Sequence, residues 1–122
     1  MKLHLARPEG NNLISGYGPG WVEINQTRYS SSLIVLPGLL VNSWLAENFE
    51  SLQPSHFEAL ASLAPEIVLL GTGSTLRFPH PSLSRSLTDI GVGLECMDTG
   101  GACRTYNILM SEGRKVAAAL IV

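Results

Sequence analysis

Apolar positions change their spacing midway along the chain. Up to Leu36 they fall in short β-type runs: Leu13 to Tyr17, Trp21 to Ile24, then Thr27 to Leu36. Gly18-Pro19-Gly20 and Asn25-Gln26 separate these runs, and Pro37-Gly38 ends the third. Strand-type runs punctuated by turn residues predict an antiparallel meander. Leu39 to Leu45 reads as a further strand, with Trp44 anchoring an edge of the core. From Pro54 to Ala64 the spacing turns helical, because Phe57, Leu60, Ala61 and Ala64 share one face. Its start has two readings: Ser55 with Glu58 as a capping box, or Pro54 at the first helical position with Gln53 as the cap. Pro65 stops it.

Glu66 to Gly71 carries the continuous apolar run Ile67-Val68-Leu69-Leu70, the pattern of a strand covered on both faces. A loop follows, with Gly71-Thr72-Gly73 and Pro79-His80-Pro81, and then a helix carrying Leu83, Leu87 and Ile90 that ends at Gly91. In the strand Val92 to Met97, Val92, Leu94 and Cys96 face one way, and Gly93, Glu95 and Met97 face the other. The last helix spans about Thr99 to Glu112 and is stopped by Gly113. Val116 to Val122 closes the chain as a strand whose Ala117, Ala118 and Ala119 let a helix approach closely. Helix and strand thus alternate from Pro54 onward. That order predicts an α/β fold, with helices packed on a largely parallel sheet that an antiparallel portion precedes.

Composition adjusts this picture only slightly. At 122 residues with 45% hydrophobic content, the chain is expected to form a single domain over 1–122, with 1–12 as a loosely ordered lead-in. Net charge is −2 and there is no run of Lys or Arg, which argues against a nucleic-acid partner. No apolar run approaches the ~18 residues of a membrane span. The N-terminus resembles neither a secretory signal nor a transit peptide, so a cytoplasmic location is expected, with Cys96 and Cys103 reduced.

Candidate chemistry gathers at two glycine-bearing corners. Gly71-Thr72-Gly73 and Asp98-Thr99-Gly100-Gly101 both follow strands expected to run parallel, which puts them at the same sheet end. Ligands of open α/β sheets bind there, and the start of a helix favours an anion. The predicted cleft uses Gly71, Thr72, Gly73, Arg77, Glu95, Met97, Thr99, Gly100, Gly101 and Asn107, with a small anion as one class of ligand. Against this, glycines serve tight strand-to-helix turns anyway, and neither corner carries a dinucleotide or Walker fingerprint.

Asp98-Thr99-Gly100 also matches the aspartic-protease tripeptide. The helical pattern that follows it, with Thr99 as N-cap, explains it more simply. Cys103 lies in the first turns of a helix but reads as a small core residue, and the three histidines, His4, His56 and His80, lie in unrelated segments. Tyr106, Asn107 and Met110 fall at helical spacing as part core and part cap. Glu112 and Arg114 flank the Gly113 turn and are expected to form a surface or turn-locking pair. No catalytic residue, metal site or cofactor is implied.

Several segments together resemble a known family. They are Pro65 to Gly73, Gly93 to Thr99, Ala102 to Leu109 and Glu112 to Leu120, with Val22, Ile24, Tyr29 and Ser32 fitting the expected hairpin. The family comprises proteins of unknown function and includes mitochondrial respiratory complex I assembly factor 3, and this chain looks like a bacterial-type member. The resemblance implies a three-layer α/β fold. Its mixed central sheet of about five strands has helices packed on it and a last strand antiparallel to the rest, beside an N-terminal antiparallel hairpin or meander. It also implies an assembly-factor-like role through an unknown protein partner, and it supplies no catalytic residues.

Overall fold

A computed structural model describes residues 10–122. Strands β1 (Ile14–Gly18), β2 (Trp21–Ile24) and β3 (Thr27–Tyr29) form an antiparallel meander. Strands β4 (Leu33–Leu36), β5 (Leu39–Val41), β6 (Ile67–Gly71), β7 (Gly93–Met97) and β8 (Val116–Leu120) form a second sheet in the order β5-β4-β8-β6-β7. The helices are α1 (Pro54–Ser62), α2 (Arg85–Asp89) and α3 (Thr99–Ser111), with a 3-10 turn at Phe49–Ser51.

Alternation along the central strands divides the interior in two. Leu33, Val35, Leu69, Val116, Ala118 and Leu120 point toward Tyr106 and Met110 of α3 and toward Ile14, Val22 and Ile24 of the meander. Ile34, Leu36, Val68, Leu70, Ala117 and Ala119 point toward Phe57 and Leu60 of α1, Leu87 of α2, and Trp44. The result is three layers: α1 with α2, the five-stranded sheet, and α3 with the meander. The expected orientation of Val92, Leu94 and Cys96 holds, since all three pack on the α1–α2 side.

The last strand differs from the family-based expectation. β8 is antiparallel to β4 alone and pairs parallel with β6, which is in turn parallel to β7. Insertion at the middle of the sheet lets β8 pair with β4 and β6, which run in opposite senses.

Four local expectations also change. The run from Thr27 to Leu36 divides into β3 and β4, in different sheets, because Thr27 and Arg28 stay exposed whereas all of Leu33–Leu36 is buried. The strand expected over Leu39 to Leu45 stops at Val41. Trp44 then turns inward, and its indole N–H donates to the His56 carbonyl at 3.2 Å. Helix α1 ends at Ser62, and Ala64 leaves the helical face at φ +51°, so Pro65 follows an ending already made. Gln53 is its N-cap, and the Gln53 N–H donates to His56 Nδ1 at 3.0 Å. Helix α2 covers only Arg85–Asp89, which leaves Leu83 in the preceding turn and Ile90 56% exposed.

Of the lead-in, residues 1–9 lie outside the described residues, whereas Asn12 donates its N–H to Pro37 and its side-chain amide to the Leu36 carbonyl.

Candidate functional site

In-register parallel pairing sets Gly71 beside Met97 on one side and Leu120 on the other. The carboxyl ends of β6, β7 and β8 therefore share one rim, and the two glycine corners meet there. They are stitched to each other. Thr72 N–H donates to the Met97 carbonyl and Thr99 N–H to the Gly73 carbonyl, both at 2.9 Å. The Thr99 hydroxyl accepts from Gly73 N–H at 2.9 Å and donates to the Ile121 carbonyl at 2.6 Å, while Ile121 N–H donates to the Gly71 carbonyl at 2.9 Å. A Cβ on Gly71 would lie 3.0 Å from Thr99 Cα, so the close approach of the corners needs glycine there. The Thr72 hydroxyl is buried, donates to the Thr75 carbonyl at 2.6 Å and accepts from Arg77 N–H at 3.1 Å. Both hydroxyls placed in the predicted cleft are thus spent on the fold.

The N-cap of α3 is Asp98, in place of the expected Thr99. Its backbone is extended and its carboxylate accepts from Gly101 N–H at 2.7 Å, while the Thr99 hydroxyl is drawn away to the sheet corner. Thr99, Gly101 and Ala102 all have acceptors for their N–H groups. The protein's own carboxylate occupies the place where the positive end of α3 would draw an anion. This capping role accounts for the Asp98-Thr99-Gly100 tripeptide.

The other predicted residues spread outward from the rim. Arg77 pairs with Glu50 and stacks 4.3 Å over the Phe49 ring, and that hydrogen bond holds the Glu50 carboxyl below its usual range. Met97 packs against the core on the α3 side, and Glu95 is exposed on β7. Asn107 clips α3 to the meander: its Oδ1 accepts from Ile14 N–H at 3.0 Å and its Nδ2 donates to the Ile14 carbonyl at 2.8 Å.

Gly73, Thr99 and Gly100 do line a cavity of about 400 Å³, but it opens between the rim and the β1–β2 turn. Tyr17, Trp21, Ser74 and Arg104 are also in its walls, and sequence reasoning missed all four. A Cβ on Gly100 would lie 2.7 Å from Tyr17 Cε1, and Arg104 donates to the Tyr17 hydroxyl. Trp21 lies across Gly18, with Arg28 stacked 3.7 Å over its ring. The available signal was an aromatic residue on each side of the Gly18-Pro19-Gly20 turn.

Cys103 is 1% exposed, and burial pushes its thiol up to about 12. Burial also raises the Cys96 thiol. Neither supplies a thiolate near neutral pH. His80 Nδ1 accepts from Ser82 N–H at 3.1 Å, and His4 lies outside the described residues. Among the described residues, no three of His, Cys, Asp and Glu gather to hold a metal ion, and no helix is long and apolar enough to cross a membrane.

The layered sheet and its stitched rim place the chain among α/β proteins with the Mth938-like fold. A Bordetella pertussis protein described as a Mth938-like domain superposes with a TM-score of 0.84 at 35% identity, covering 99% of this chain and 92% of its own. A Bordetella parapertussis protein superposes with a TM-score of 0.86 at 41% identity, covering 93% and 98%. The chain belongs to the family described as "Protein of unknown function (DUF498/DUF598)", whose model matches residues 14–121. Bovine NADH dehydrogenase (ubiquinone) 1 alpha subcomplex assembly factor 3 is 32% identical over 110 residues, which are 88% of this chain and 59% of that protein. The chain therefore spans about three-fifths of the length of this relative.

Two outcomes follow from the rim and the thiol. Thr99→Val removes the hydroxyl that serves Gly73 and Ile121, and should cost about 1–3 kcal/mol in urea unfolding, whereas Thr99→Ser should recover most of it. Equal stability of Thr99→Val and the parent would contradict the stitched rim. For Cys103, the folded thiol keeps a proton that the unfolded chain releases from about pH 8.5 upward. Stability contributed by this group is complete below that pH and is lost as pH rises toward about 12. Between pH 7.5 and 10, Cys103→Ala should show a shallower fall in unfolding free energy than the parent. Identical slopes would refute the raised value.

Proposed function

We propose that this protein acts by binding other proteins, in the manner of an assembly factor, and carries out no covalent chemistry of its own. The relationship to complex I assembly factor 3 supports that class of role. The observation that carries it is the exposure of large apolar side chains on two loops. Leu45 is 79% exposed, Leu76 52% and Phe78 72%, and the Arg77–Glu50 pair with the Arg77–Phe49 stack ties the two loops together. In this reading the apolar groups on the two braced loops form the surface that meets the partner. The partner is a protein, not a nucleic acid, and the compartment is the cytoplasm, in keeping with two unpaired cysteines.

A second reading draws on the 400 Å³ cavity, where Arg104 and the Tyr17 and Trp21 rings would hold a small anion with an aromatic body. Its phosphate-binding version is disfavoured by the Asp98 carboxylate in the same wall.

The test is photo-crosslinking in the native host, comparing the parent with a Leu45→Asp/Phe78→Asp double variant of matched melting temperature. Loss of the parent's crosslinked partner in the variant is the expected result. Unchanged crosslinking would remove these loops from the role. A parent without crosslinks that is stabilised by small aromatic carboxylates, but not after Arg104→Ala, would move the assignment to the cavity.

A further inference from the structure

At the opposite end of the sheet, where β4 ends and β8 begins, lies a second cavity of about 380 Å³. Leu36, Leu39, Leu63 and Met110 give it apolar walls, and among the described residues its charged lining is Arg114 and Lys115. Both are basic and exposed. The Glu66 carboxylate lies outside the lining and is engaged on both oxygens, by Arg114 Nε at 3.4 Å and by Lys115 N–H at 2.8 Å. The Lys115 ammonium has no ion-pair partner among the described residues. Immediately beside the cavity, Leu39 opens β5, which pairs with β4 on one side and with no strand on the other among the described residues.

Three recognition elements therefore meet in one corner: an apolar hole, a lining lysine without an ion-pair partner among the described residues, and a sheet edge that no described strand covers. We propose that this corner is a docking groove for an extended, acidic segment of a partner protein. The segment's main chain adds to the β5 edge, as in strand addition to other exposed sheets. One leucine or phenylalanine side chain fills the cavity, and an adjacent aspartate or glutamate faces Lys115 and Arg114. An acyl chain would satisfy the apolar walls and the cation but would leave the strand edge unused, so the peptide is the better fit. This inference rests on the protein-contact reading and names a partner chemistry for it, using residues other than Leu45 and Phe78.

Fluorescence anisotropy tests it with a labelled nonapeptide whose central leucine-phenylalanine pair is flanked by aspartates and glutamates. Comparison peptides carry lysine at each acidic position or methyl groups on the backbone nitrogens. The acidic peptide should bind at least roughly tenfold more tightly than either comparison peptide. Lys115→Glu and Leu39→Asp, both at exposed positions, should each weaken it by a similar factor, while Leu45→Asp/Phe78→Asp should leave it unchanged. Equal binding of the acidic and lysine peptides, indifference to Lys115→Glu, displacement by laurate at a lower concentration than unlabelled peptide, or concentration-dependent dimerisation through Leu39 would each overturn the proposal. Failure of the peptide alongside intact loop-dependent crosslinking would remove the groove alone. Peptide binding without such crosslinking would leave the groove standing and remove the loops.

Discussion

Strand β8 must be buried on both faces while pairing with neighbours that run in opposite directions. Every residue of Val116–Leu120 is inaccessible, and its side chains divide between the α3 core and the α1–α2 core. Side chains on both faces of a central strand compete with the layers above and below for the same space. The alanines at 117, 118 and 119 meet that demand by letting both layers close down on the sheet. β4 arrives from the antiparallel N-terminal part and β6 from the alternating C-terminal part, and only the final strand joins them. The two halves of the sheet are thus joined through β8.

The rim follows from the same constraint. As β8 leaves the sheet, Ile121 N–H pairs with the Gly71 carbonyl and the Ile121 carbonyl receives the Thr99 hydroxyl. One threonine thereby ties together the ends of three strands and the start of α3. Positions that resemble ligand-binding corners in many α/β proteins are here consumed in closing the sheet. What remains available for recognition lies elsewhere: the braced apolar loops, the aromatic-walled cavity by the β1–β2 turn, and the corner beside β5.

Local alternation was legible in the sequence, and so the facing of Leu94 and Cys96 and the double burial of Ile67–Leu70 could be read directly. The meeting of the two glycine corners was also legible, because parallel strands joined by helices place their carboxyl ends together. Information carried by distant partners was not. Asn107 on a helix face resembles a ligand-contacting amide until Ile14, far away in sequence, is found at both ends of its side chain. Thr99 looks like a cap because the sequence shows neither Asp98 as the rival for that role nor the exit of β8 as the partner of its hydroxyl. The direction of β8 was hidden for a related reason: a strand's apolar pattern is the same whichever way it runs. Thr27 to Leu36 misled because β-type residues continue across the crossing from the outer sheet to the central one, with only residues 30–32 marking the passage.

The central claim is that the carboxyl-end rim is a closed structural joint. Native-state amide hydrogen exchange at Gly73, Thr99 and Ile121 tests it most directly. The account predicts protection within about a factor of ten of the slowest β8 amides, since these three N–H groups should open only with the sheet. Exchange at those three amides near unprotected rates, with β8 still protected, would mean an open, ligand-accessible rim and would contradict it.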